Sequence, residues 1–389
     1  MPSCEDVNEI SIRLTSTTSS LKGNQKKKSH LSMEEEGTLG DTLKVPSVRE
    51  LAKQKLAAVP SRYIRDDIEK TSSSILLPQV PVIDMEKLLE IGDDNSELER
   101  LHSACKQWGF FQVVNHGVSS SLVEKVKSEI RAFFDLPMEE KKKFEQQEGD
   151  VEGFGQAFVF SEEQKLDWGD LFYMTTLPTN LRKPHLFPKL PVSLRDIMEE
   201  HCKEFKSLAI RILSKLAKAL RMDEKEMREL SNEGMQLIRM NYYPPCPEPD
   251  RTIGISPHSD ADALTILLQL NETEGLQVRK DGIWVPVKPL PNAFIVNVGD
   301  MMEILSNGVY RSIEHRAVNS NTERLSLATF YIFNLDSELG PAHSLIGPNN
   351  LPTFRRVRVG KYLQDFFAQE LDGKSFIDRM KVETKADES

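Results

Sequence analysis

Downstream of residue 234 the chain breaks into short β-patterned runs separated by turn signals, with no helical period interleaved among them. The runs are MQLIRMNYY, LTILLQL, LQVRK, IWVPVK, AFIVNVG, YRSIEHRAV and RLSLATFYIF. Lys280-Asp281-Gly282 predicts a hairpin between two of them, because a tight turn of the required hand needs residues that tolerate positive φ. Seven or eight strands without crossover helices do not build a parallel α/β sheet; they predict a sandwich or jelly-roll barrel.

Upstream the texture is mixed. LPQVPVIDM (77–85) and FFQVVNHGV (110–118) read as strands, while SELERLHSACKQWG (96–109) reads as a helix stopped at Gly109. SSSLVEKVKSEIRAFFDLP reads as a serine-capped helix ending near Pro137. A long helix over about 195–221 carries Phe205, Leu208, Ile212, Leu216 and Leu220 on one stripe, which is core packing and not a cofactor box. Residues 1–45 are poor in aromatics and rich in Ser, Lys and Glu, and are expected to be disordered; Met33 opens a plausible start of its own. The expected order is therefore that extension, a mixed α/β region over 46–200, a long helix and connector over 201–233, the β-rich core over 234–335 and a C-terminal segment over 336–389.

Composition excludes several functions. With 389 residues, 39% of them hydrophobic, the chain can bury a large core. A net charge of −10 argues against a nucleic-acid partner, and no apolar run is long enough to span a bilayer. The N-terminal MPSCEDVNEI lacks a secretory layout, and the Ser/Thr-rich TSTTSS has only Arg13 beside it, so a cytoplasmic protein is expected. Cys4, Cys105, Cys202 and Cys246 are far apart, with no CxxC pair, and are expected to be reduced thiols.

Chemistry enters at ISPHSDADALTILLQL (255–270). His258, Asp260 and Asp262 occupy alternate positions, so an extended chain points all three the same way, beside an apolar strand. Two carboxylates and an imidazole on one face repel, stay wet or hold a metal. One further imidazole would complete two histidines and a carboxylate, the set that suits non-haem Fe(II) with open positions. Of the two histidines left in the β-rich region, His315 lies in a strand-like run and His343 follows Gly340-Pro341 in a loop, so His315 ranks first. Arg324-Leu325-Ser326 strengthens the reading: a guanidinium and a hydroxyl on one face of an inward strand can grip a carboxylate through parallel hydrogen bonds. The alternative is a surface arginine paired with Glu323, which leaves unexplained why so apolar a strand begins there.

Together, His258-x-Asp260, His315 and Arg324-x-Ser326 resemble the signature of the Fe(II)- and 2-oxoglutarate-dependent dioxygenases. WGFFQVVNHGV (108–118) and NYYPPCP (241–247) are similar to the plant branch of that superfamily. VPSVRELAKQKLAAVPSRYIRD, DVEGFGQAF, LDWGDLFYM, PVKPLPNAFIVNVGD and LDGKSF narrow the resemblance to the subgroup containing codeine O-demethylase, thebaine 6-O-demethylase and flavonoid O-demethylases. The resemblance runs from about residue 45 to 380. It implies a mainly β fold with flanking helices: a double-stranded β-helix (jelly-roll) core behind a helical N-terminal region.

For the site, the resemblance implies that His258, Asp260 and His315 bind iron, with no catalytic side chain beyond the metal centre. Arg324 and Ser326 would hold the far carboxylate of 2-oxoglutarate, and Tyr243 and Asn241 would help to place it. Asp262 becomes a spare at the pocket mouth, either solvated or facing a basic or hydroxylated substrate. Phe154, Phe158 and Phe330 are the remaining candidates for the substrate pocket, with plain core packing as the alternative. A structural role is expected for His116, and ordinary roles for His102, His185 and His201. The implied cofactors are Fe(II), 2-oxoglutarate as co-substrate, O2, and ascorbate as reductant. The implied reaction decarboxylates 2-oxoglutarate to succinate and CO2 while hydroxylating or O-demethylating a small molecule, in a monomeric protein. Two other readings share the fold: an oxidase that does not consume 2-oxoglutarate, and a non-catalytic ligand receptor or scaffold.

Overall fold

The computed structural model describes residues 42–54, 56, 58–69, 78–90 and 95–382. The first 41 residues of the extension expected over 1–45 lie outside them. Thr42 and Leu43 are already tied to the body: the Thr42 hydroxyl donates to the Gln156 carbonyl and the Leu43 N–H to that of Val159.

Twelve strands build two sheets. They are β1 (Val82–Asp84), β2 (Phe110–Val114), β3 (Gly153–Gly155), β4 (Asp170–Leu177), β5 (Met235–Tyr243), β6 (Ile253–His258), β7 (Leu264–Gln269), β8 (Leu276–Lys280), β9 (Ile283–Pro286), β10 (Phe294–Val298), β11 (His315–Val318) and β12 (Arg324–Ile332). The larger sheet has the order β1-β2-β10-β7-β12-β5-β4-β3, and the smaller β6-β11-β8-β9. All their pairings are antiparallel except β1 with β2. Except at the β8–β9 hairpin, consecutive core strands alternate between the two sheets, as in a jelly roll. Four strands from the N-terminal region extend the larger sheet at both edges. The β8–β9 hairpin turns through Asp281 (φ 49°) and Gly282 (φ 80°), the conformation its sequence predicts.

Two elements differ from expectation. Strand β4 was legible only as part of a motif; covered on both faces, it is buried at six of eight positions and so lacks alternation. Strand β11 spans only His315–Val318, and the five residues before it approach the site as loop.

The long helix runs Val192–Leu220, starting directly after Pro191 and ended by Arg221 in the left-handed region (φ 56°). Phe205, Leu208, Ile212, Leu216 and Leu220 are all buried, as the stripe predicts. Helices Ser96–Gln107 and Ser120–Asp135 pack against it. Ser119 takes the N-cap position of the latter, but its hydroxyl makes no capping bond. His201, on the buried face of the long helix, stacks on Phe205 at 3.8 Å and reaches the Thr329 hydroxyl at 3.0 Å.

Asp170, at the head of β4, ties the N-terminal segment to the sheet. Its carboxylate accepts from the Val48 N–H (2.7 Å), the Arg49 N–H (3.1 Å) and the Ser47 hydroxyl (2.6 Å), at the start of helix Val48–Lys53. A buried anion at a helix N-terminus is stabilised by both the bonds and the dipole.

Two outcomes are expected from these contacts. Orphaning a buried donor costs roughly 1–3 kcal/mol, so Asp170→Ala lowers the unfolding free energy by about 3 kcal/mol in urea titrations. For His201, burial holds the imidazole down at about 3, so the native state keeps it neutral while the unfolded chain protonates near pH 6.5. Its contribution is complete above that pH and is lost as pH falls towards 3. His201→Gln, which cannot titrate, therefore removes about 2 kcal/mol of the stability difference between pH 6.5 and 5, read from denaturant midpoints at both pH values.

Candidate metal centre and its two cavities

Sheet register decides which side chains meet. Along β12, Arg324 lies opposite Tyr243, Ser326 opposite Asn241 and Ala328 opposite Arg239. On the other side of β12, Ser326 faces Gln269 and Phe330 faces Thr265. Further out, Tyr173 on β4 pairs with Arg239, and Asn297 on β10 with Thr265. Directly opposed residues share a face, so these side chains form one polar and aromatic surface inside the barrel.

The smaller sheet supplies the other wall. His258 ends β6 and His315 begins β11, and the two are register partners, with ring centroids 4.3 Å apart. The chain then turns towards β7 and brings Asp260 between them. Asp260 Oδ1 lies 3.5 Å from His258 Nε2 and 3.7 Å from His315 Nε2. One ligand atom from each of the three lies within 4.8 Å of the others, and all three residues are buried.

Hydrogen bonds aim these atoms inward. His258 Nδ1 lies 2.8 Å from the Ser256 carbonyl and His315 Nδ1 3.1 Å from that of Ile313. Only a protonated Nδ1 can donate there, which leaves each Nε2 with its lone pair. His258 Nε2 is buried without a hydrogen-bond partner. Asp260 Oδ2 accepts from the Thr265 hydroxyl (2.6 Å) and the Asn297 amide (2.8 Å), so Oδ1 stays free to face the imidazoles. Burial alone would raise the Asp260 carboxyl, but the His315 and His258 imidazoles and the Thr265 bond outweigh it and hold it well below the usual range. Burial and the neighbouring His258 lower His315 to about 4, so it is neutral near pH 7. Two imidazole nitrogens and one carboxylate oxygen, converging with nothing bonded between them, fit a divalent iron.

Two cavities meet at this triad. The polar one reaches from His258, Asp260 and His315 to Asn241, Tyr243, Arg324 and Ser326. Arg324 is 3% exposed; its Nη2 donates to the Gln269 amide oxygen (3.0 Å), while Nε is buried without a partner. Its guanidinium lies 5.2 Å over the Tyr243 ring, and its stem rests on Gly275, where a Cβ would come within 2.8 Å of Arg324 Cδ. The surface-pair alternative fails, since Glu323 is taken by Arg131 and the Tyr242 hydroxyl. Asn241 donates to the Ser326 hydroxyl at 3.3 Å. A buried guanidinium with no carboxylate partner among the described residues fits the far carboxylate of a dicarboxylic acid.

The second cavity opens on the same His258 and Asp260 and is walled by Phe158, Tyr173, Phe330, Phe366 and Phe367. Phe330 lines both cavities. Phe158, held at φ 63°, stacks on Phe367 at 5.6 Å. Phe154 does not line this cavity: its ring packs on Phe133 under the Lys141 ammonium, because the β3 pleat turns it towards the helices. Asp262 borders the cavity but is not solvated at a mouth. It is 2% exposed, shares the Thr265 hydroxyl at 2.8 Å, and has Oδ1 against Gly299, where a Cβ would come within 2.2 Å. Burial first, then the Asp260 charge, push its carboxyl well above the usual range.

The other histidines take structural places. His116 stacks on Phe294 at 4.0 Å and accepts the Val118 N–H, and His102 Nδ1 lies 3.1 Å from the Tyr310 hydroxyl. His343 sits in a short 3-10 turn away from both cavities. Thr265, Gln269, Asn297 and Arg239 went unread in the sequence. Arg239 had a signal, since it shares strand parity with Asn241 and Tyr243; the others acquire meaning only through register.

Comparison with known proteins agrees with this geometry. Residues 234–332 match the 2OG-Fe(II) oxygenase superfamily, and residues 80–190 match the N-terminal region described as non-haem dioxygenase in morphine synthesis. The chain is 53% identical to oxoglutarate-dependent flavonoid 7-O-demethylase 1 of Ocimum basilicum, over 90% of this chain and 95% of that one. It is 52% identical to thebaine 6-O-demethylase of Papaver somniferum, over 88% and 98% of the two chains. Among solved structures, JOX2 in complex with 2OG, Fe and JA superposes with a TM-score of 0.79 at 35% identity, over 87% of this chain and 98% of that one.

The bonds around Asp260 make a direct prediction. Thr265→Val removes one of the two donors at Oδ2 and should weaken divalent-metal binding by about 10–100-fold, measured by calorimetric titration with Mn(II). An unchanged affinity would show that Asn297 alone orients the carboxylate.

Proposed function

Because the chain belongs to the 2OG-Fe(II) oxygenase superfamily, we propose that it hydroxylates or O-demethylates a plant specialised metabolite, an alkaloid, flavonoid or phenylpropanoid. The observation that carries this reading is the meeting of the two cavities at His258 and Asp260, one polar and ending at Arg324, the other aromatic and apolar. In this reading His258, Asp260 and His315 hold Fe(II), and Arg324 with Ser326 grips the far carboxylate of 2-oxoglutarate. Tyr243 and Asn241 brace that grip from the neighbouring strand. Bound Fe(II), with 2-oxoglutarate and O2, supplies the oxidising power that breaks a substrate C–H bond as the co-substrate becomes succinate and CO2.

The chain's own residues do the rest. Nδ1–H bonds to the backbone keep both imidazoles in the ligand tautomer, and Thr265 and Asn297 fix the carboxylate. Aromatic walls take a flat apolar body, exclude water and bring one carbon to the triad. If that carbon is an O-methyl, the hydroxylated product is a hemiacetal that collapses to a phenol and formaldehyde. If it is a ring or alkyl carbon, the alcohol is the product.

Incubation with Fe(II), ascorbate and 2-oxoglutarate across methoxylated flavonoids, alkaloids and phenylpropanoids should give succinate that depends on a particular substrate. Formaldehyde measured in parallel separates demethylation from hydroxylation. His258→Ala should abolish both signals. Protein that binds Mn(II) and 2-oxoglutarate yet forms no succinate with any of these compounds would refute the substrate class.

A further inference from the structure

Arg324 is held by the end of β7 and by the loop that joins β7 to β8. In that loop the Asn271 side chain accepts from the Leu325 N–H (3.2 Å) and donates to the Glu323 carbonyl (2.8 Å). It therefore grips the backbone on either side of Arg324. Gly275 supports the stem, where a Cβ would come within 2.8 Å of Arg324 Cδ and 3.3 Å of Nε. Gln269, the last residue of β7, takes the tip: its amide oxygen accepts from Nη2 at 3.0 Å.

The amide of Gln269 can sit only one way. Its Nε2 donates to the Thr273 carbonyl, which can only accept, whereas a guanidinium can only donate. The oxygen must then face Arg324. Gln269 does not line the polar cavity; it lines a surface groove with Asn271 and helix Ser120–Asp135. Arg324, which does line the cavity, stands in front of it. An acceptor behind the guanidinium sets how far that group reaches without touching what the cavity holds.

Charge enters as well. An amide offers the guanidinium a bond but no charge, so the cation keeps its attraction for an anion. A carboxylate of the same shape would close an internal ion pair instead, and would turn a lone pair on the Thr273 carbonyl. Among the described residues no carboxylate acts on Arg324.

We propose that Gln269 is a positioning residue that fixes the reach of Arg324, so that the cavity selects a five-carbon oxo-diacid over its homologue one methylene longer. The neutral amide leaves the charge of Arg324 to that co-substrate. The proposal rests on the oxygenase reading above and adds what sets the co-substrate's length.

The test is equilibrium binding of 2-oxoglutarate and 2-oxoadipate to the full-length protein loaded with Mn(II), titrated by calorimetry. Wild type should bind 2-oxoglutarate at least about tenfold tighter, the discrimination that one misplaced methylene allows. Gln269→Ala removes the acceptor and opens room behind the guanidinium. It should weaken 2-oxoglutarate about tenfold and bring the two acids within about threefold of each other. Gln269→Glu keeps the shape and adds the charge, and should weaken both acids by about 100-fold. Both variants should bind Mn(II) as wild type does, because Gln269 does not touch the triad, and thermal melts establish that they are folded.

An unchanged acid ratio in Gln269→Ala overturns the proposal, as does wild-type affinity for 2-oxoglutarate in Gln269→Glu. Loss of Mn(II) along with both acids also overturns it, since the fold and not the reach of Arg324 would then be at fault. If wild type binds both acids equally, this proposal alone fails. If it binds Mn(II) but neither acid, the co-substrate reading fails and takes the proposal with it.

Discussion

His258 and His315 face each other across the antiparallel boundary between β6 and β11, and the chemistry of the protein depends on that one pairing. A register slip of one residue would send one imidazole to the opposite face of the smaller sheet. Asp260 is then delivered by the turn that leaves β6, and is held by Thr265 on β7 and Asn297 on β10. The triad is thus fastened to both sheets. Backbone carbonyls select the tautomer of each imidazole, so the ligand set is oriented by the fold itself.

The same registry organises the rest of the interior. Strands β5 and β12 run side by side, with Tyr243, Asn241 and Arg239 set against Arg324, Ser326 and Ala328. From that ladder come two guanidinium groups, Arg324 at its far end and Arg239 nearer the triad. Burying so many polar groups is costly unless each is bonded. The structure meets that demand for Asp260, Asn241 and Ser326, and leaves His258 Nε2 and the Nε atoms of Arg324 and Arg239 unpartnered.

Segments outside the core strands complete the aromatic cavity. Phe158 comes from the loop between β3 and β4, and Leu363, Phe366 and Phe367 come from the C-terminal helix Val359–Phe367. Gly373 bonds back to the metal strand: its N–H donates to the Pro257 carbonyl, and its own carbonyl accepts from Ser259. Lys374 then pairs with the nearly buried Glu303 at 2.7 Å. The C-terminal segment is therefore locked beside His258 while it walls the substrate side, which couples the shape of the pocket to the metal strand.

Much of this was legible in the residues. The β texture after residue 234, the hairpin at Asp281-Gly282, the buried stripe on the long helix and the pair His258 and Asp260 follow from local periodicity and residue chemistry. Arg324-x-Ser326 was legible because a cation heading an apolar strand needs a reason. Strand β4 was not, since burial on both faces erases the alternation that marks a strand. Nor were the true places of Phe154 and Asp262: the first turns to the helices by its pleat, and the second is sealed under Thr265 and Gly299 instead of being wetted. The sequence by itself determined the fold class and the types of ligand atom available. Only the tertiary structure decided that His315 stands opposite His258, that Thr265 and Asn297 hold Asp260, and that Arg239 faces the cavity. The physical reason is that periodicity assigns a side chain to a face of its own strand, whereas contact depends on cross-strand register, which joins residues far apart in the chain.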